Sequence, residues 1–242
     1  MLRTIIWFAS VSLFLICVIP LMIIERLVHK KFEEPSWATR FAVRVFVGMT
    51  IKFAGLRIHR RGEENIIEGP ALYVGNHQGL FDIALILHEL GPLKAIIAKD
   101  AVKKIPCVHG WMTCFDCIFI ERGDARKGLE AIKAAQDLLE HGRSVIIFPE
   151  GTRSRGPEMN EFKHGAVRCA IKAGVPVVPF AIDGTWHTYE EFHKVRPADI
   201  QLSILPAIPS DGKKSAELAA EAQEAIRAEQ ERLRAELAEK ES

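Results

Sequence analysis

Short, largely apolar runs followed by residues of helical periodicity constrain the fold of this chain more than any other feature. The runs lie at 71–75, 94–98, 117–120, 144–148, 175–182 and 200–208. A strand apolar at successive positions is buried on both faces, so helices must cover both sides of its sheet. Strand and helix signals alternate, which makes that sheet largely parallel. Asp124 is placed to cap an amphipathic helix bearing Leu129, Ile132, Ala135, Leu138 and Leu139, closed by Gly142. A shorter helix begins near Gly165 and stops at Gly174. Pro176 and Pro179 lack the N–H that a central strand donates, so the run they interrupt is expected at an edge or on an irregular path. The expected class is α/β: a single, largely parallel or mixed sheet flanked by helices, with an N-terminal two-helix membrane anchor.

The anchor is read from residues 1–58. The 20 residues from Ile5 to Ile24 carry no charge, the length that a bilayer core requires of a helix. Pro20 and the bulky Leu21, Met22 and Ile23 stand where a signal peptide would need small residues for cleavage, and Pro20 should kink the helix near its end. Arg26, Lys30 and Lys31 follow against Arg3 before, which puts the downstream chain on the cytoplasmic side of a cell membrane. After Pro35 a second helix, 37–58, sets Arg40, Arg44 and Lys52 among Phe41, Val45, Phe46, Met49, Ile51 and Phe53, the pattern of an interfacial helix. Two such helices fit a hairpin that dips into one leaflet; an ordinary transmembrane anchor followed by a core-packing helix fits the same periodicity. Residues 57–65 read as a polar turn that opens the α/β body, 59–212. Residues 213–242 form a helix rich in Ala, Glu and Arg, with so few large apolar residues that it reads as mostly solvated or loosely docked.

Chemistry-bearing residues gather where strands end. Asn76-His77-Gln78-Gly79-Leu80-Phe81-Asp82 follows the first buried run, and Asn76 is placed to cap the helix beyond it. A five-residue step on a helix leaves two side chains about 140° apart, so His77 meets Asp82 only from a turn outside the helix, which Gly79 helps to bend. A carboxylate on one imidazole nitrogen fixes the tautomer and supports the imidazolium, which is the arrangement of a general base. The plainer alternative is a capping Asn beside a surface His and a helix-start Asp. Phe148-Pro149-Glu150-Gly151-Thr152-Arg153-Ser154-Arg155 follows another buried run. Gly151 permits close backbone approach, Thr152 and Ser154 offer hydroxyls, and Arg153 offers a planar fork for phosphate. Arg122-Gly123 ends the run before it and can converge on the same rim, and Lys99, Lys103 and Lys104 can add positive charge there.

The net charge of +1 is spread over both signs and carries no nucleic-acid footprint. Five cysteines at scattered positions favour a reducing compartment for the body. Cys114-Phe115-Asp116-Cys117, with Cys107 and His109 nearby, invites a zinc reading, but no second pair follows. Buried free thiols and no metal are expected.

Together, Asn76-His77 with Asp82, Ile118-Phe119-Ile120-Glu121-Arg122, the 148–154 stretch, and Val175-Pro176-Val177-Val178-Pro179 resemble the four ordered blocks of the glycerolipid acyltransferase family, and most of all its 1-acylglycerol-3-phosphate acyltransferases. The resemblance implies His77 as general base, Asp82 as its partner, and Arg122, Glu150, Gly151, Thr152 and Arg153 as the glycerol-phosphate site. It implies that residues 175–179 shape the acyl-donor region. The activity it implies is acyl transfer to the sn-2 hydroxyl of lysophosphatidic acid, giving phosphatidic acid. The co-substrate is acyl-CoA or an acyl carrier protein, with no cofactor and no metal, and membrane lipids are the surroundings. Oxyanion donors are expected among the N–H groups near the helix start after Asn76. One departure stands out: Asp116 occupies a place usually held by Gly, and Glu121 one usually held by Asp. Acyl transfer to another lyso-lipid, a lysophospholipid or lyso-ornithine lipid, fits the same residues. A non-catalytic membrane-bound binder of anionic lipids, or a metallohydrolase built on His77, His109 and the cysteines, would come from a different class.

Overall fold

The structure is a computed structural model that describes residues 1–91, 94–121 and 124–241. Among the described residues seven strands form one sheet: β1 Leu56–Arg61, β2 Leu72–Gly75, β3 Ala95–Lys99, β4 Ile118–Ile120, β5 Val145–Ile147, β6 Val177–Asp183 and β7 Ala198–Ile204. Their order is β1-β7-β6-β2-β5-β3-β4, and every neighbouring pair is parallel except β6 with β7. The helices are α1 Leu2–Cys17, α2 Ile19–Val28, α3 Trp37–Ala54, α4 Asp82–Glu89, α5 Pro106–Cys114, α6 Ala125–Glu140, α7 Arg168–Ala173 and α8 Ser215–Glu241. The expected α/β class, a mixed sheet between helical layers, is what forms.

Alternation along β2 shows how the sheet is covered. Leu72 and Val74 face a core with Leu138 of α6, Cys169 of α7 and Leu218 of α8, while Tyr73 faces another with Trp7 of α1, Ala54 of α3 and Leu85 of α4. Asp124 caps α6 as expected, accepting from Arg126 N–H at 2.9 Å and Lys127 N–H at 3.2 Å.

Several expectations shift. The run expected at an edge forms β6, which is central, between β2 and β7; Pro176 falls just before the strand and Pro179 within it. Pro179 is tolerated because it falls where β7 leaves β6: the ladder runs from Phe180–Ile204 and recurs only at the Val177–Ile208 bridge, while the Pro179 carbonyl still accepts from Leu205 N–H at 2.9 Å. The stretch read as a polar turn, 57–65, begins as edge strand β1, whose charged residues lie at the solvent boundary of a parallel pairing with β7. The C-terminal helix is firmly docked. Leu218, Ala219, Ala222, Ile226, Gln230 and Leu233 make a buried stripe, and small alanines let the helix approach the sheet closely where few large residues are present.

The uncharged N-terminal run is broken at Val18 into α1 and α2, bent by 46°, with Pro20 in the first turn of α2, where its missing N–H has no partner to lose. Among the described residues no single helix is long and apolar enough to cross a membrane; the bent pair together reaches that length and composition. Buried Glu25 of α2 accepts from Ser36 N–H at 2.9 Å and Thr39 Oγ1–H at 2.8 Å, closing the turn into α3. Trp7 of α1 donates Nε1–H to Thr50 O of α3 at 3.1 Å and packs 5.1 Å from Phe81, ring centre to ring centre.

Asp116 explains the departure from the family pattern. Its φ of 55° lies in the left-handed region, where Gly is easiest and Asp is tolerated. Its carboxylate accepts from Phe32 N–H and His29 Nε2, both at 3.2 Å, and from Arg143 Nη1 at 3.1 Å, tying the segment after α2 to the sheet.

Candidate active site

Adjacent parallel strands β2 and β5 deliver the 76–82 and 148–155 loops side by side at their carboxyl ends. Two backbone bonds join the loops, Ser154 N–H to His77 O at 2.8 Å and Arg155 N–H to Gln78 O at 3.1 Å. Gly75 lets β2 end tightly, since a Cβ there would stand 2.0 Å from the Phe180 ring. Asn76 caps no helix: it exchanges two 2.8 Å bonds with the Ile182 backbone, locking the end of β2 to β6. The helix starts at Asp82, so His77 stands on the loop before it.

Nδ1 of His77 lies 2.7 Å from Asp82 Oδ2, which also accepts from Gly79 N–H at 2.9 Å; Asp82 Oδ1 accepts from the Thr185 hydroxyl. Asp82 is fully buried and its Oδ2 has only donors around it, so it draws the imidazole proton to Nδ1 and leaves Nε2 with the lone pair. The ring is held flat against Phe148, centroids 4.3 Å apart, and Phe148 meets Phe180 edge-on. Gly79 serves by its lack of a side chain: a Cβ would come 2.7 Å from Glu190 Oε2.

The second loop divides its labour. Glu150 is not among the residues that line the cavity. Its buried carboxylate accepts from His77 N–H at 2.6 Å and from Asn160 N–H and Nδ2 at 2.9 and 2.7 Å, so the residue expected at the phosphate is an inner brace. Burial pushes its pKa up, against the pull of the His77 and Asn160 donors. Gly151, Thr152 and Arg153 do line the cavity, with His77. Gly151 has φ 70°, and Lys163 passes over its α-carbon so closely that a Cβ would be 2.8 Å from Nζ. Arg153 donates to Glu190 Oε1 at 2.8 Å, an oxygen that also accepts Leu80 N–H at 2.8 Å. Glu190 is driven toward its protonated form by burial first and by Asp82 further on, opposed by Leu80 N–H and Arg153. Arg122 lies outside the described residues.

The cavity holds about 750 Å³. Its lining combines His77, Arg153, Arg155, Lys163 and Arg168, from the loops after β2 and β5 and the start of α7, with Ile97, Val102, Ile105, Ile120, Leu129 and Ile132, from β3, β4, α6 and the segment after β3, and with Lys99 at the end of β3. The N–H groups of His77, Gly79 and Leu80 are taken by Glu150, Asp82 and Glu190, so the loop before the helix does not offer them to an oxyanion. Sequence reasoning missed Thr185, Glu190 and Lys163, which come from beyond β6 and from the return of the 151–163 loop. Only the Gly184-Thr185 break after an apolar strand marked any of them. Cys114 and Cys117 are thiols whose pKa burial pushes up to about 11 and about 12.

A site at the carboxyl ends of parallel strands, with a carboxylate-oriented imidazole in a cavity lined by cationic and apolar side chains, defines the class, and the chain belongs to the acyltransferase family, whose model, described as Acyltransferase, matches residues 57–183. It is similar along most of its length to the crystal structure of the 1-acyl-sn-glycerophosphate (LPA) acyltransferase PlsC from Thermotoga maritima. The TM-score is 0.82 and the identity 27%, over 97% of this chain and 95% of that one. A 1-acyl-sn-glycerol-3-phosphate acyltransferase of Pseudomonas aeruginosa is 30% identical over 185 residues, 76% of this chain and 69% of that protein. A chloroplastic protein of the same description from Arabidopsis thaliana is 36% identical over 147 residues, 60% of this chain. The chain spans 41% of the length of that chloroplastic relative.

Proposed function

We propose that this protein moves a fatty acyl group from an acyl thioester to the sn-2 hydroxyl of lysophosphatidic acid, giving phosphatidic acid. The observation that carries this is the His77–Asp82 pair, with His77 in the wall of a cavity lined both by cationic side chains, Arg153, Lys163 and Arg168 among them, and by apolar ones from β3, β4 and α6. Such a cavity suits a molecule with a phosphate head and a hydrocarbon chain. The relatives' descriptions support the choice of acceptor.

The head-group phosphate rests on Arg153, Lys163 and the Gly151-Thr152 backbone, and the acyl chains run along the apolar wall. Nε2 of His77 takes the proton of the acceptor hydroxyl as its oxygen attacks the thioester carbonyl; Asp82 stabilises the imidazolium. The tetrahedral intermediate collapses, the C–S bond breaks, and the imidazolium returns its proton to the departing thiolate. No covalent enzyme intermediate forms. The thiol carrier is coenzyme A or an acyl carrier protein.

Residues 1–58 hold this site at the cytoplasmic face of the cell membrane. Ile5, Ile6, Leu13 and Ile16 of α1 and Trp37 and Phe41 of α3 are exposed, with Arg40 and Arg44 beside the aromatic pair, a surface suited to acyl chains and anionic head groups. From there the site samples its lipid acceptor laterally.

Membranes containing the protein, given labelled acyl-CoA or acyl carrier protein and a panel of lyso-lipids, test the reading. Labelled phosphatidic acid is the expected product. Conversion of only lyso-ornithine lipid or a lysophospholipid diester overturns the head-group assignment, and no transfer to any acceptor overturns the activity.

A further inference from the structure

The C-terminal helix bonds to the end of β6, which braces the His77 loop, and to Pro157, at the far end of the loop that carries Arg153. Gln230 and Arg234 stand one turn apart on one face of α8. Gln230 Nε2 donates at 2.9 Å to Ile182 O, the carbonyl that also receives Asn76 Nδ2. Arg234 donates Nη2–H and Nε–H to Asp183 Oδ1 at 3.0 and 3.2 Å, and Nη2–H to Pro157 O at 2.5 Å. The same Asp183 oxygen accepts Gln78 Nε2 at 3.0 Å, and Gln78 is the neighbour of His77. One guanidinium therefore bonds directly to the far end of the loop that carries Arg153, and through the shared Asp183 oxygen is linked to Gln78 of the loop that carries the imidazole.

We propose that Arg234 is a positioning residue for acyl transfer, and that α8 is part of the machinery that holds the head-group loop in register with His77. This rests on the roles given above to His77 and Arg153. The loop from Gly151 to Pro157 is joined to the His77 side by the Ser154 and Arg155 backbone bonds, and Arg234 fastens its far end. His77 itself has separate supports in Asp82, Phe148 and Glu150. Freeing the far end of the loop displaces the phosphate cradle more than the base. Weaker binding of ground and transition states alike raises KM with little change in kcat. Lysine at 234 can still reach Asp183 as a point charge but lacks the fork that also holds the Pro157 carbonyl.

The test compares Arg234→Gln and Arg234→Lys with the parent in the full-length protein, by steady-state kinetics and by equilibrium binding of lysophosphatidic acid in mixed micelles, well below each melting temperature. Arg234→Gln is expected to raise KM and Kd for lysophosphatidic acid by roughly tenfold to a hundredfold, as small misplacements of binding groups do, with kcat much less affected. Arg234→Lys should recover part of the loss. Unchanged KM and Kd in Arg234→Gln overturn the proposal, as does a loss of activity that follows the melted fraction and is not relieved by lysine. If the parent binds lysophosphatidic acid without turning it over, the proposed activity fails, and the Kd comparison still decides the role of Arg234.

Discussion

His77 and Asp82 are joined Nδ1 to Oδ2 at 2.7 Å across a turn that lies wholly before the helix, with the carboxylate further held by Gly79 N–H and the Thr185 hydroxyl. The two residues thus differ in what they do for the fold. His77→Ala removes a base at the cavity wall and should lower acyl transfer by about 10²–10⁴-fold with little change in melting temperature. Asp82→Ala leaves buried donors without an acceptor, at about 1–3 kcal/mol for each, and should lower the melting temperature as well as the activity. Parallel kinetics and calorimetry check both; near-full turnover in His77→Ala refutes its role.

Lys163 lines the cavity beside Gly151 and, among the described residues, has no side-chain partner, whereas the charge of Arg153 is shared with Glu190. Lys163→Met should raise KM for lysophosphatidic acid about tenfold, on the order of one charge-assisted hydrogen bond, and leave a neutral acceptor such as monoacylglycerol unaffected. Added salt should narrow the difference between parent and variant, because it screens the exposed charge in the parent alone.

Glu190 supplies a pH dependence. Burial raises its folded pKa above the unfolded value of about 4.3, so the folded protein holds this proton more tightly than the unfolded chain. The associated stability is fully present below the unfolded pKa and is lost as pH rises through the folded pKa. Glu190→Gln keeps an acceptor for Leu80 N–H and cannot ionise. From about pH 4 to about pH 7 its melting temperature should therefore rise relative to the parent's. A difference that does not vary with pH would count against a raised pKa.

The outcome at particular residues shows what kind of information a sequence holds. The strand ends at Gly75 and Phe148 and the capped helix at Asp124 were legible because local apolar patterning and turn chemistry act within a few residues. Five-residue spacing also required that His77 meet Asp82 from outside the helix. Position in the sheet was not legible for Pro179, since its tolerance depends on where β7 departs, more than twenty residues downstream. The docking of α8 was hidden because its buried stripe sets only three large apolar residues, Leu218, Ile226 and Leu233, among Ala219, Ala222 and Gln230, so that close fit contributes where hydrophobic bulk is sparse.

By itself, the sequence determined the α/β class, the ends of the strands, and the residue types able to serve as base and phosphate cradle, because periodicity, capping and side-chain chemistry are local properties. Only the tertiary structure decided that Glu150 turns inward as a brace, that Thr185 and Glu190 come from beyond β6 to hold Asp82 and Arg153, and that Arg234 joins Asp183 at the end of β6 to the Pro157 carbonyl. Those roles are set by which groups burial brings within hydrogen-bond reach. That reach depends on strand order and on the return path of the chain, and a linear pattern records neither.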